Sequence, residues 1–189
     1  GLGDVYKRQA IICILGLVPS VPLPFMPVPI VLQNIGIFLA GIILGRKLGT
    51  TSVIVFLLLV ATGLPVLSGG RGGIGVFAGP SAGFLFLYPV VAYFIGIIRD
   101  AYLHKINFLV IFIATLVIGV LGLDILGTII MGFIIHIPIS KAFILSFTFM
   151  PGDIIKAIIA SLIGAAILNH SRFKTCLLYT SDAADEGLG

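Results

Sequence analysis

The chain has 189 residues, 59% of them hydrophobic and 10% charged, with a formal net charge of +4 and a mean hydropathy of +1.27. So few charges cannot cover the surface of a water-soluble domain of this size, which excludes an ordinary soluble enzyme or nucleic-acid-binding module. What remains is an all-α membrane protein, a compact bundle of about six transmembrane helices in a single domain.

Both ends are set apart before the elements are read. Asp4-Val5-Tyr6-Lys7-Arg8-Gln9 can be written in codons as GAT GTG TAT AAG AGA CAG, and the reverse complement of that string, in another frame, encodes Cys-Leu-Leu-Tyr-Thr-Ser, the peptide at Cys176 to Ser181. The string is a transposon end used to prepare sequencing libraries, so residues 1–9 and 176–189 are expected to be translated adaptor. The expected domain is then 10–175, with helix one truncated. Without those ends the basic residues fall to nine and the acidic ones to Asp100, Asp124 and Asp153, a balance of +6. Cys176 falls in the set-aside tail and Cys13 in an apolar run, so neither a disulfide framework nor a metal cluster is expected.

In chain order, apolar runs broken by Gly, Pro or charge predict helices over 10–18, 30–45, 51–66, 81–98, 106–121 and 151–168. Several are shorter than the roughly 20 residues that cross hydrocarbon, so their ends are loosely drawn. Between the first two, Val21-Pro22-Leu23-Pro24-Phe25-Met26-Pro27-Val28-Pro29 is a stiff extended connector. It delivers Gln33 and Asn34 into the first turns of helix two, where the Gln33 amide can reach either a polar ligand or a neighbouring backbone. Gly36 with Ala40, Gly41 with Gly45, and Ala157 with Ser161 and Ala165 are small residues at helical spacing. They suit close packing within the bundle or a docking face for another membrane subunit.

Ser68-Gly69-Gly70-Arg71-Gly72-Gly73-Ile74-Gly75 follows helix three, and Gly79-Pro80-Ser81-Ala82-Gly83 opens helix four. Clustered glycines permit positive φ and bare the backbone N–H groups, which suits an anion such as a carboxylate, with Arg71 as charge partner; a flexible outer turn fits the spacing as well. The Gly-Lys-Ser/Thr of a phosphate-binding loop is missing, which argues against nucleotide binding. Segment 122–150, interrupted by Asp124, His136 and Pro138, is predicted to end helix five and to continue as a re-entrant or interfacial stretch. His104, His136 and His170 are scattered, without metal-ligand spacing.

Phe149-Met150-Pro151-Gly152-Asp153-Ile154-Ile155-Lys156 is the most informative stretch. Pro151 suits a first helical turn, which places Asp153 and Lys156 on one face near the N-terminus of helix six. An ionisable pair inside a membrane segment is costly and points at a cavity or a partner. Side by side, a carboxylate and an ammonium complement a cyclic urea or amide, N–H groups to the acid and carbonyl to the amine. The same spacing also fits an interfacial ion pair snorkelling to water. Short cytoplasmic loops collect Lys and Arg. With six spans Arg46, Lys47, Arg99, Lys105, Arg172 and Lys174 share the side of both termini, against Arg71, Lys141 and Lys156 opposite, so both ends are expected in the cytoplasm.

These motifs together resemble the BioY family, the biotin-specific substrate-binding (S) components of energy-coupling-factor (ECF) transporters. The likeness rests on the glycine pairs 69–73 leading into 79–83 and on to Ala92, on Phe149, Gly152, Asp153 and Lys156 in the helix-six motif, and on 24–30 with Gln33; it covers about Val18 to Leu168. Ser81 stands where the family has Thr, Ala82 replaces a Gly, and Leu87 replaces another. The resemblance implies a transport subunit without enzymatic activity or cofactor, in a prokaryotic plasma membrane, whose partners are biotin, membrane lipid, a transmembrane coupling subunit and two cytoplasmic ATPases. It also implies that Asp153 and Lys156 engage the ureido ring, with Gln33 and Ser81 nearby, while Gly69, Gly70, Gly72 and Gly73 close over the site. Assigning Arg71 to the valerate carboxylate follows from charge alone. The alternatives are an S component for another small vitamin, a self-sufficient carrier or channel, and a membrane-embedded enzyme, for which no nucleophile–base, paired-carboxylate or metal set is visible.

Overall fold

The computed structural model describes residues 33–65, 72–102 and 105–169, which form helices and turns without strands. Helix α1 comprises Gln33–Leu39 and a wider π-helical continuation, Ala40–Leu44; α2 is Gly45–Ala61, α3 Ala82–Ala101, α4 Phe108–Ile134 and α5 Ile139–Asn169. The expected helix 10–18 lies outside the described residues. By length and apolarity Asn34–Ala61, Ala82–Ala101, Phe108–Ile134 and Ile139–Asn169 can each cross a membrane. The first of these is a helical hairpin. Gly45, at φ +82° and ψ −174°, reverses the chain, and α2 returns along α1 so closely that a Cβ on Gly49 would lie 2.5 Å from the Ala40 carbonyl oxygen.

Helix α1 is central among the described helices. Asn34 to Phe38 and Ala40 to Leu44 are all buried, as expected of a helix apolar on every side. Its neighbours approach through small residues. Gly41 meets the Ala92 carbonyl of α3, Gly164 of α5 meets Ile42, and Gly119 of α4 receives the Phe38 ring; a Cβ at any of them would come within 2.8 Å of those atoms. Ala157, Ser161 and Ala165 are likewise buried against the bundle. The small-residue spacings therefore serve internal packing. Leu58, Phe86, Phe133, Ile144 and Leu162 are exposed on the outside, where hydrocarbon and not water is their natural solvent.

Three predicted boundaries are corrected. The helix expected over 51–66 runs Gly45–Ala61, because the chain reverses at Gly45 and enters it directly. Helix α4 does not stop at 121 but continues unbroken to Ile134, with a π-helical stretch over Thr115–Gly122. Asp124 is wholly buried and faces acidic and basic groups of α5, so the charge did not have to break the helix. The stop comes later. His136 adopts φ +59°, and the Ile137 N–H returns to the Gly132 carbonyl at 3.0 Å, a Schellman closure with His136 in the left-handed position. Helix α5 then starts at Ile139, directly after Pro138, whose carbonyl accepts from Ala142 N–H at 3.0 Å. The proline preference for a helix start was sound but belonged to Pro138; Pro151 is internal to a 31-residue helix. Its missing N–H is tolerable in a membrane bundle, where neighbouring helices and side chains can meet the freed carbonyl. As a result Asp153 and Lys156 lie in mid-helix, not at the outer N-terminus.

At the end of the bundle away from the glycine loop, Arg99 is 3% exposed and binds three acceptors. Its Nε donates to Ile42 O at 3.1 Å, Nη2 to Ile43 O at 2.9 Å and Nη1 to Asp100 Oδ1 at 2.6 Å. It thus satisfies carbonyls left open at the end of α1, and Asp100 in turn accepts from the Arg46 N–H at 3.3 Å. Arg99 is a structural cap and not the loop charge it was predicted to be. The backbones are nearly touching here: a Cβ on Gly96 would lie 2.4 Å from Arg46 N. Gly96→Ala should therefore destabilise the detergent-solubilised protein by about 1–3 kcal/mol, while Gly75→Ala, whose Cβ meets nothing within 4 Å, should leave the melting temperature unchanged. Arg99→Lys should cost about 1–3 kcal/mol in the same melts, because one ammonium cannot span three acceptors held by a planar fork.

Candidate functional site

Two contacts define a common level across three helices. Gly83 of α3 packs on α4 so that its Cβ would lie 3.1 Å from the Gly127 carbonyl, and the Phe84 ring stands 5.8 Å from that of Phe149 on α5. One helical turn from this level, about 5.4 Å toward the Arg99 end, leads to Tyr88 on α3 and Asp153 on α5. On α4, which runs the other way, the same step leads back to Asp124. The three helices thus deliver Tyr88, Asp124 and Asp153 to one layer. Lys156 follows Asp153 by three residues, on the same face.

The layer is polar and closed from solvent. The Lys156 ammonium donates to Asp153 Oδ1, and both side chains are only 6% exposed. Tyr88 Oη donates to Asn34 Oδ1 at 3.0 Å, joining α3 to the first turn of α1. Asp124 is 0% exposed and lies close enough to Asp153 and Lys156 to feel both charges. Neither of its carboxylate oxygens has a hydrogen-bond partner among the described residues, and the same holds for Thr128 Oγ1 one turn further along α4. At the low dielectric of such an interior an ion pair is tolerated only when its geometry is good and its spare lone pairs are met. Two acids thus lie beside one ammonium, which bonds Asp153, and the oxygens of Asp124 are left without a donor from the surrounding helices.

The predicted site residues divide into three groups. Asp153 and Lys156 are brought together as expected. Gly72, Gly73 and Ser81 lie nearer the bundle end, about two turns above Tyr88 on the scale of α3, with Ser81 immediately preceding α3. Gly73, at φ +96°, donates its N–H to Val60 O at 2.7 Å, and a Cβ on Gly72 would fall 2.1 Å from the Leu64 carbonyl oxygen. These two glycines therefore seat the end of the loop on the C-terminus of α2, a role only residues without a side chain can fill. Gln33 opens α1 beside Asn34. Gly69, Gly70 and Arg71 lie outside the described residues. Sequence reasoning missed Tyr88 and treated Asp124 as a helix interruption. The signal for Asp124 was present: it is an acid in an apolar run, open to the same cost argument that singled out Asp153. Among the described residues no His, Cys, Asp and Glu group could hold a metal ion.

Known proteins resemble this chain in sequence and in fold. The sequence profile of the BioY family matches residues 6–173. The chain is 44% identical over 158 residues to the "Probable biotin transporter BioY" of Bacillus subtilis (strain 168), covering 84% of each chain. It is 42% identical over 171 residues to the "Biotin transporter BioY" of Lactococcus lactis subsp. cremoris (strain MG1363), covering 87% of this chain and 88% of the relative. A crystal structure of the S-component for biotin from an ECF-type ABC transporter superposes with a TM-score of 0.81 at 40% identity, over 87% of this chain and 88% of that one. The S component of a bacterial ECF transporter, 20% identical with a TM-score of 0.54, shares the fold. The chain therefore belongs to the BioY family.

Proposed function

We propose that this protein captures biotin from outside the cell as the substrate-binding component of an ECF-type transporter. The observation that carries the reading is the buried Asp153–Lys156 pair, held in one layer with Tyr88 and Asn34 inside a membrane bundle whose relatives are named as biotin transporters. A cyclic urea presents N–H donors and a carbonyl acceptor on one rigid ring. The carboxylate accepts the former and the ammonium donates to the latter, both as charge-assisted hydrogen bonds. Capture is non-covalent and needs no cofactor: a few placed polar groups orient the ring while apolar walls exclude water. The glycine-rich loop, with Gly69, Gly70 and Arg71, would lie over the ligand, and Arg71 would meet the valerate carboxylate. Uptake would require a transmembrane coupling subunit and two cytoplasmic ATPases that supply the energy.

Orientation follows from charge. Arg46, Lys47 and Lys105 gather at the bundle end bearing the Arg99 cap, whereas Lys141 stands at the opposite end. Lys156, counted from sequence with the outer charges, is buried in the core and leaves that count. The positive-inside rule then puts the Arg99 end, and both termini, in the cytoplasm of a prokaryotic plasma membrane. A cysteine at Lys141 should react with a membrane-impermeant maleimide in intact cells and one at Lys47 only after permeabilisation, in a background freed of Cys13 and Cys176; the reverse pattern would invert the topology.

Binding itself is tested by calorimetry on protein in nanodiscs. Wild-type protein should bind biotin, and Asp153→Asn should weaken binding at least about tenfold, since a charged acceptor becomes partly a donor facing a donor. Lys156→Met should weaken binding by at least as much, because the buried Asp153 carboxylate then lacks its cation and the ring carbonyl its donor. Wild-type affinity in Asp153→Asn would remove Asp153 from the site, and preference for a different vitamin would replace the cargo.

A further inference from the structure

Asp124 has no role in the pair just described, yet it is the most buried acid among the described residues. It is 0% exposed, against 4% for Asp153. Its two oxygens meet no backbone or hydroxyl donor, Thr128 beside it has an equally unpartnered hydroxyl, and its carboxyl faces the carboxyl of Asp153 and the ammonium of Lys156. A buried carboxylate without donors is costly, and breaking even with a nonpolar residue there requires hydrogen bonds from elsewhere. Folding alone gives no reason to keep it: Lys156 is already bonded to Asp153, so the bundle without Asp124 would hold one neutral pair.

Counting groups indicates what completes the layer. Two buried acids beside one ammonium leave carboxyl oxygens open to N–H donors and the ammonium open to a carbonyl, all within one layer. A urea within a ring offers that set, two N–H groups flanking one carbonyl, whereas an amide, lactone or carbamate ring brings at most one N–H. We propose that Asp124 is a further ligand-binding and specificity-determining residue, accepting one ureido N–H while Asp153 accepts the other and Lys156 donates to the carbonyl. Two acids from different helices then grip opposite edges of the ring, so the site selects for both N–H groups together. This rests on biotin being the ligand, as proposed above.

The test uses full-length protein in nanodiscs, calorimetric titration with biotin and with the two biotin derivatives methylated at one or the other ureido nitrogen, and melting temperatures without ligand. Wild-type protein should bind biotin at least about tenfold more tightly than either derivative, the loss of one charge-assisted hydrogen bond. Asp124→Leu should melt no lower than wild type without ligand. It should bind biotin at least about tenfold more weakly, yet should lose less than about twofold for the derivative methylated at the nitrogen facing position 124, since that bond is already absent. Wild-type tolerance of either methyl group would overturn the assignment. So would unchanged biotin affinity in Asp124→Leu, or a lowered melting temperature with equal losses for all three ligands, which would mark Asp124 as structural. Failure of wild-type protein to bind biotin at all would instead remove the transport reading and this inference with it.

Discussion

The cost of placing ionisable groups in a lipid-embedded interior governs this structure. Each such group must be matched, and the matching fixes where helices α3, α4 and α5 stand relative to one another. Lys156 finds Asp153 on its own helix, a local arrangement that any straight helix would provide. Asp124 reaches the same layer only because α4 continues past 121 and packs its glycines against α3. A helix broken at Asp124 would have turned that carboxylate toward lipid or water, and the layer would have lost its second acid.

Close backbone approach is the device that makes the layer possible. Lipid supplies no hydrophobic drive between helices, so contact depends on packing and on polar bonds. Gly41, Gly49, Gly96, Gly119 and Gly164 let neighbours approach to distances a side chain would forbid, and α1 is enclosed by α2, α3, α4 and α5 as a result. Arg99 locks the far end of this arrangement by bonding the open carbonyls of α1. The loop end is built differently. Gly72 and Gly73 meet α2 through the Gly73 N–H bond to Val60 O and through the absence of side chains.

Membership of the BioY family and the geometry of the layer support each other without overlapping. The relatives identify the lineage, while the balance of acceptors and donors describes the chemistry the interior leaves unsatisfied. An acceptor-rich layer suits the part of a ligand that presents converging N–H groups. A rigid cyclic urea meets that demand without loss of its own rotational freedom, which favours tight binding from few contacts.

Composition alone determined that the chain is a helical membrane protein, because 10% charged residues cannot clothe a soluble domain. Local spacing determined that Asp153 and Lys156 share a face, since three residues along a helix do so wherever the helix starts. Helix ends were less legible. Pro138 and Pro151 offer the same local signal, and only the left-handed turn at His136 and the hairpin it closes decided that Pro138 begins α5. Arg99 is read as a loop charge in any linear count, and its burial depends on the carbonyls of α1, more than fifty residues away in sequence. Tyr88 with Asn34, and Asp124 with the acid–amine pair, were decided by tertiary structure, because their meeting requires antiparallel helices in a definite register, and register is a property of packing between segments and of no segment by itself.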